Sequence, residues 1–339
     1  MDCLYDYIGI RGCGEAIPPS LIYLNDLEGI SMKSISSLPD AQQQNFVGVY
    51  ADIQTRALLR LKDDFVSAIG KRYRLKHILD TISLPKSNLD LTKTATVVGA
   101  TNKCGVVIDL DYGLDSQFIG SPMAAPYVQQ LFFYCPAGAV GDTVTFKIYD
   151  VNTNTLLLTT TKLCALGWNA VEINKLFANQ YYDKTRKLFI GFEITTNNGT
   201  VTPVYYAAPS LLQGSCCEVR LTGGIMSSSG VVTESIESFG LACIFSVRCD
   251  YGSLICTNKD LFKRTLLYAL GVETMREQQF SERLNEFTIL RKAQAEALET
   301  KFTADYNKAL MQVAEGIDLD CDCCIECGGT NSYTIIETL

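Results

Sequence analysis

Four cysteines within seven residues, Cys321-x-Cys323-Cys324-x-x-Cys327, form the group whose types and spacing could most directly do chemistry. Thiolates are zinc ligands, and a C-x-x-C pair supplies two corners of a tetrahedron. Structural zinc sites ordinarily draw on two separated pairs. For four sulfurs this close together, a second pair would come from elsewhere, from Cys249 and Cys256 or from Cys3 and Cys13. The neighbouring Asp318, Asp320, Asp322 and Glu326 attract a cation but also disfavour the thiolate. Zinc on Cys321, Cys323, Cys324 and Cys327 is the one cofactor the sequence suggests. Two other readings stand beside it: a packed tail with its cysteines buried at a subunit contact, and disulfides formed after release from the cell.

Other polar groupings are weaker. Asp109, Asp111 and Asp115 flank a turn at Tyr112-Gly113, a spacing that suits calcium. The full twelve-residue ligand loop is absent, so exposed aspartates at a strand end are expected. The single tryptophan, Trp168, is expected in a sheet core; as an exposed stacking surface it would make this a carbohydrate-binding module. The single histidine, His77, follows a basic run of Lys71, Arg72, Arg74 and Lys76. That run reads as a helix end whose cations favour C-terminal carbonyls, with a phosphate or acidic partner as the alternative. No nucleophile elbow, phosphate loop or H-E-x-x-H motif is present, and each of those carries a specific chemistry. No catalytic residue is assigned, and a non-enzymatic role is expected.

The elements that must position these residues follow from periodicity. The chain has 339 residues, 47% hydrophobic and 19% charged, with a net charge of −8. That composition permits a large core and gives no long-range attraction for a phosphate backbone. The opening Met1-Asp2-Cys3-Leu4-Tyr5-Asp6 lacks a basic leader, and no apolar run is long enough to span a membrane, so folding in a reducing cytoplasm is expected. Most of the 14 cysteines, such as Cys104, Cys135, Cys164 and Cys243, sit where core residues belong and are read as packing residues, not a disulfide framework. An extended, turn-rich arm occupies 1–38. A helical segment over 39–93 follows, capped by Asp40 and striped by Phe46, Val49, Tyr50, Ile53, Ala57, Leu61, Phe65 and Ile69. Over 94–250 the period falls to two, as in Thr143–Tyr149, predicting seven to nine strands of an antiparallel β-sandwich or jelly roll. Helices return over 251–316. Asn258 caps the first, Gly271 interrupts it, and one long helix is predicted from Glu273 to Ala314, roughly 60 Å in length. A cysteine-rich tail closes the chain over 317–339. The fold class is thus α+β, a central sandwich flanked by helical segments.

The segments Leu4-Tyr5-Asp6-Tyr7-Ile8-Gly9-Ile10-Arg11-Gly12-Cys13, Leu21–Ile30 and Gln54–Phe65 resemble virion structural proteins of crAss-like tailed bacteriophages, notably ring proteins of the neck and tail. The resemblance covers about the first 70 residues and the general character of the helical, cysteine-bearing C-terminus. It implies a closed ring, about twelve copies if matched to a portal, packed against portal or further ring and tail proteins in a virion assembled in the host cytoplasm. The arm and the overlong helix, read from the residues alone, also ask for neighbours to cover them.

Overall fold

The computed structural model describes residues 2–12, 17–36, 41–83, 89–94, 103–111, 121, 123–135, 137–178, 186–195, 204–206, 210–213, 218–235, 241–280, 286–320 and 322–326. The chain divides into two compact units. The first comprises the N-terminal region to Arg74 with Tyr251–Asp320; the second is Leu75–Asp250 with Cys321–Glu326.

The second unit is the β-sandwich. Its strands are β1 (Arg74–Leu75, at the boundary), β2 (Ile78–Ser83), β3 (Leu89–Thr94), β4 (Lys103–Asp111), β5 (Ala124–Cys135), β6 (Thr143–Asp150), β7 (Thr155–Leu163), β8 (Gly167–Leu176), β9 (Arg186–Thr195), β10 (Val204–Tyr206), β11 (Ser210–Gln213), β12 (Glu218–Met226), β13 (Val232–Ser235), β14 (Leu241–Cys249) and β15 (Ile325–Glu326). One sheet has seven strands in the order β11-β12-β4-β9-β6-β7, with β13 also on β12, and a second has four in the order β2-β14-β5-β8; β3 with β10 and β1 with β15 form separate two-stranded sheets. Alternation builds the core. In β6, Val144, Phe146 and Ile148 are buried and share a core with Leu131 and Phe133 of β5, Leu188, Ile190 and Phe192 of β9, and Cys243, Phe245 and Val247 of β14. On the other face of the larger sheet, a Cβ on Gly191 would collide with the Phe189 ring, and one on Gly224 would meet Val107 Cγ2 at 2.7 Å and crowd the same ring at 3.1 Å. Glycine at both positions lets the ring lie close to the backbone.

The helical segment expected over 39–93 is shorter than its boundaries: the helix ends at Ile69, and Ile78–Ser83 and Leu89–Thr94 are strands. β2 owes its state to β14, with which it pairs from Ser83↔Ile244 to Asp80↔Val247. That pairing joins residues far apart in the chain, so local periodicity cannot announce it.

The first unit holds α1 (Met32–Ser36), α2 (Ala41–Ile69), α3 (Tyr251–Thr257), α4 (Lys259–Phe280) and α5 (Glu286–Gly316). Most of the α2 stripe is buried as its spacing predicts, with Val49, Ile53, Ala57, Leu61, Phe65 and Ile69 inside and Phe46 and Tyr50 half-buried; the Asp40 cap lies outside the described residues. The single long helix does not form. α4 runs through Gly271 to Phe280, and α5 begins at Glu286. The two lie antiparallel: Arg276 meets Glu299 and Gly271 faces Phe302. Folding back lets the apolar residues of each helix cover the other. Gly271 does not break α4; a Cβ there would stand 2.5 Å from Leu27 Cδ1 and 3.1 Å from Phe302 Cδ2, so glycine permits the close approach of arm and helix. Asn258 follows the end of α3, its side-chain amide donating to the Leu254 carbonyl at 3.0 Å. Among the described residues, no helix is long and apolar enough to cross a membrane.

Candidate functional site

The cysteine-rich tail is built around disulfides. Cys324 is bonded to Cys249 at the end of β14, and Cys323 is also disulfide-bonded; Cys321 and Cys327 lie outside the described residues. The turn over 322–325 is held by Asp322, whose carboxylate accepts from the backbone N–H groups of Cys324 and Ile325 at 2.8 and 2.9 Å. Lys76 completes the clasp, its backbone N–H donating to the Cys324 carbonyl at 3.0 Å and its ammonium 2.7 Å from Glu326. A disulfide sulfur has no thiolate to give a metal, so zinc at this cluster first requires reduction. Among the described residues, no group of three or more His, Cys, Asp or Glu is placed to hold a metal. Oxidised protein passed through a desalting column with zinc is expected to retain none, and a peptide map should recover Cys249 linked to Cys324. Stoichiometric zinc on the oxidised chain would contradict this.

A second disulfide, Cys3–Cys256, ties the arm to α3. Cysteines outside the bonds behave as the packing reading expects. Cys104, Cys135, Cys164 and Cys243 are buried thiols, and burial pushes those of Cys104, Cys164 and Cys243 up to about 12. At neutral pH their thiolate fraction is therefore very small. Alkylation of native protein, read residue by residue by mass spectrometry, should leave these three unlabelled until denaturant is added.

The basic run does cap a helix, but not its own. The Arg72 guanidinium donates to the carbonyls of Ala314 and Glu315 at the end of α5, both at 2.9 Å, satisfying C-terminal carbonyls with a cation. The His77 carbonyl accepts from the Cys249 N–H. Asp109 is already engaged: its Oδ2 is 3.4 Å from the Lys187 ammonium, which also pairs with Glu234, itself paired with Arg220. The Lys187 hydrogen bond holds the Glu234 carboxyl below the usual range, against the effect of burial. The side chain of Asp111 and all of Asp115 lie outside the described residues.

Trp168 departs from expectation. It is 36% exposed rather than buried in the core, edge-on to Tyr134 with ring centroids 5.8 Å apart. The inward position belongs to Asn169, whose side chain donates to the Ala165 and Gly167 carbonyls and accepts from the Ala165 N–H. A buried polar residue that satisfies a turn has displaced the aromatic by one position, which reverses its face.

The arm is more ordered than its turn-rich sequence predicts. Leu4, Tyr7, Ile8, Ile10, Leu24, Leu27 and Ile30 are buried. Tyr7 donates to Asp260 at 2.5 Å, Tyr50 donates to the Ile8 carbonyl at 3.0 Å, and Leu24 N–H donates to Gly9 O. The expectation that neighbours must cover the whole arm is corrected accordingly: the unit's own helices cover most of it. What remains outside is specific. Ile17 and Leu21 are 72% and 73% exposed, and Leu21 holds φ at 58°, a left-handed conformation a leucine rarely adopts. Val47, Leu59, Leu261 and Met311 are exposed on the helices. No protein-family model matches the chain, and no curated protein does.

Proposed function

We infer that this chain is a non-enzymatic structural subunit that assembles through its helical unit, as a ring in the neck or tail of a tailed phage virion. The observation that carries the reading is the pair Ile17 and Leu21, large aliphatic side chains presented to solvent on a disulfide-tied arm whose other described aliphatic side chains are mostly buried. Contiguous exposed apolar patches mark contact surfaces, and these two side chains, four residues apart, are the ones the reading assigns to such a patch. The resemblance of residues 1–70 to crAss-like ring proteins supplies the setting. Light scattering and negative-stain microscopy of the purified chain, alone and with portal or neighbouring tail proteins, should show rings. A monomer that ignores every such partner overturns the reading.

One observation favours a second reading. Trp168 is exposed beside Tyr134, an arrangement on which a sugar ring can stack. Its exposed neighbours in sequence, Leu163 and Leu166, are aliphatic, which suits a protein contact better. A glycan array compared with Trp168→Ala decides it: binding abolished by the substitution supports a glycan-binding module.

A further inference from the structure

We propose that Cys135 and Cys164 are a latent disulfide pair, which a small external disulfide such as oxidised glutathione joins into a staple between the two sheets of the sandwich. The pairing is independent of whether the chain self-assembles. Cys135 ends β5 in the four-stranded sheet, and Cys164 directly follows β7, the terminal strand of the seven-stranded one. Backbone contacts bring the two together. Cys135 pairs with Gly167 at the start of β8. The turn from Cys164 to Gly167 is fixed by Asn169, whose side chain accepts from the Ala165 N–H and donates to the Ala165 carbonyl. Cys164 N–H donates to the Asp142 carbonyl at 2.8 Å, and its own carbonyl accepts from Gly141 N–H at 3.0 Å. Both side chains lie in the shared core, 0% and 4% exposed, and their thiols are hydrogen-bonded to each other. Cys104 and Cys243 are thiols of the same core, but among the described residues neither is hydrogen-bonded to a second thiol.

The chain makes such bonds elsewhere, at Cys3–Cys256 and Cys249–Cys324, so conditions that oxidise those sulfurs also act on this pair. Thiols already in contact have little distance to close to reach a bond of about 2.05 Å. The step is thiol–disulfide exchange. Cys164, the more exposed of the two, loses its proton to solvent, and its thiolate attacks one sulfur of the external disulfide, releasing one external thiol. Cys135 then loses its proton and attacks the Cys164 sulfur, releasing the second. Two cysteine thiols give up two electrons, and one external disulfide is reduced to two thiols. Burial, the Cys135 thiol and the Asp142 carboxylate all keep Cys164 protonated, and a thiol is far less nucleophilic than a thiolate. The exchange therefore takes place while the chain folds or when the end of β7 opens. Once closed, the bond restricts the unfolded chain and holds β5 to the end of β7.

The test uses the full chain, unfolded under reductant and refolded either in a glutathione redox buffer or with reductant kept present. Trypsin cleaves after Lys147 and Lys162, so Cys135 and Cys164 leave on separate peptides unless a bond joins them. The non-reducing map of the oxidised sample should contain the two peptides linked and lighter by two hydrogens, with Cys104 and Cys243 recovered as alkylated thiols. The reduced sample, alkylated in denaturant, should carry the label on both Cys135 and Cys164. Denaturant unfolding, followed by Trp168 fluorescence, measures the staple. Adding reductant to the oxidised protein should raise the unfolding equilibrium constant at least about tenfold more in wild type than in Cys164→Ala, which keeps the other disulfides. Cys135→Ala replaces that variant if it does not fold, and the wild-type map decides the pairing without either. An oxidised sample in which Cys249 is linked to Cys324 while Cys135 and Cys164 remain alkylated overturns the proposal, as does linkage of either to any other cysteine. A linked pair with equal reductant sensitivity in wild type and variant overturns its role as a staple.

Discussion

Phe146→Ala is expected to lower the unfolding free energy of the sandwich unit by about 3–5 kcal/mol, the range for truncating a fully buried phenylalanine. Phe146 is completely buried at the centre of β6, its ring 5.2 Å from Phe133 and 6.1 Å from Phe192. It therefore joins the two sheets, since Phe133 belongs to β5 and Phe192 to β9. The loss combines transfer of the ring to water with the cavity it leaves. The single tryptophan, Trp168, lies in this unit, so its fluorescence during denaturant unfolding reports on the right structure. A shift below about 1 kcal/mol would mean that the facing rings close the gap or that the sheets do not share this core.

Glu273→Ala should cost the helical unit about 2–3 kcal/mol, read from the loss of far-UV helical signal on unfolding. Glu273 is buried and receives Arg60 and Arg276 at 3.3 Å on one oxygen and Arg56 at 3.6 Å on the other. It thus joins α2 to α4 through a carboxylate shared by three guanidinium groups. Breaking a buried pair usually costs about 3–5 kcal/mol. The side chains of Arg56, Arg60 and Arg276 are 44%, 20% and 44% exposed, so they recover hydration and the loss is smaller. Arg276→Ala, which removes one exposed partner, should cost less than about 1 kcal/mol. Equal losses for the two substitutions would show that Glu273 is not the centre of the network.

Much of the fold can be read without tertiary contacts. The stripe from Phe46 to Ile69 specifies α2, and alternation in Thr143–Tyr149 specifies β6, because one buried face imposes its period on the residues. The same rule failed where a partner decides. Ile78–Ser83 takes strand geometry from β14. The residues after Glu273 have helical spacing throughout, yet form two antiparallel helices, because each needs an apolar neighbour and the other half of the segment supplies it.

The candidate sites divide in the same way. Residue types alone left zinc, a packed contact and late disulfides open at Cys321–Cys327, and the structure shows disulfides at Cys323 and Cys324; packing roles were read for Cys104, Cys164 and Cys243, which are buried. Which sulfurs pair could not be read locally, since Cys3–Cys256 spans 253 residues and Cys249–Cys324 spans 75. Nor could exposure of Leu21 and Trp168, because sequence states how apolar a side chain is but not whether another part of the chain reaches it. Local periodicity determined which segments become helices and strands; long-range packing decided which apolar side chains were left exposed, since burial depends on contacts between residues distant in sequence.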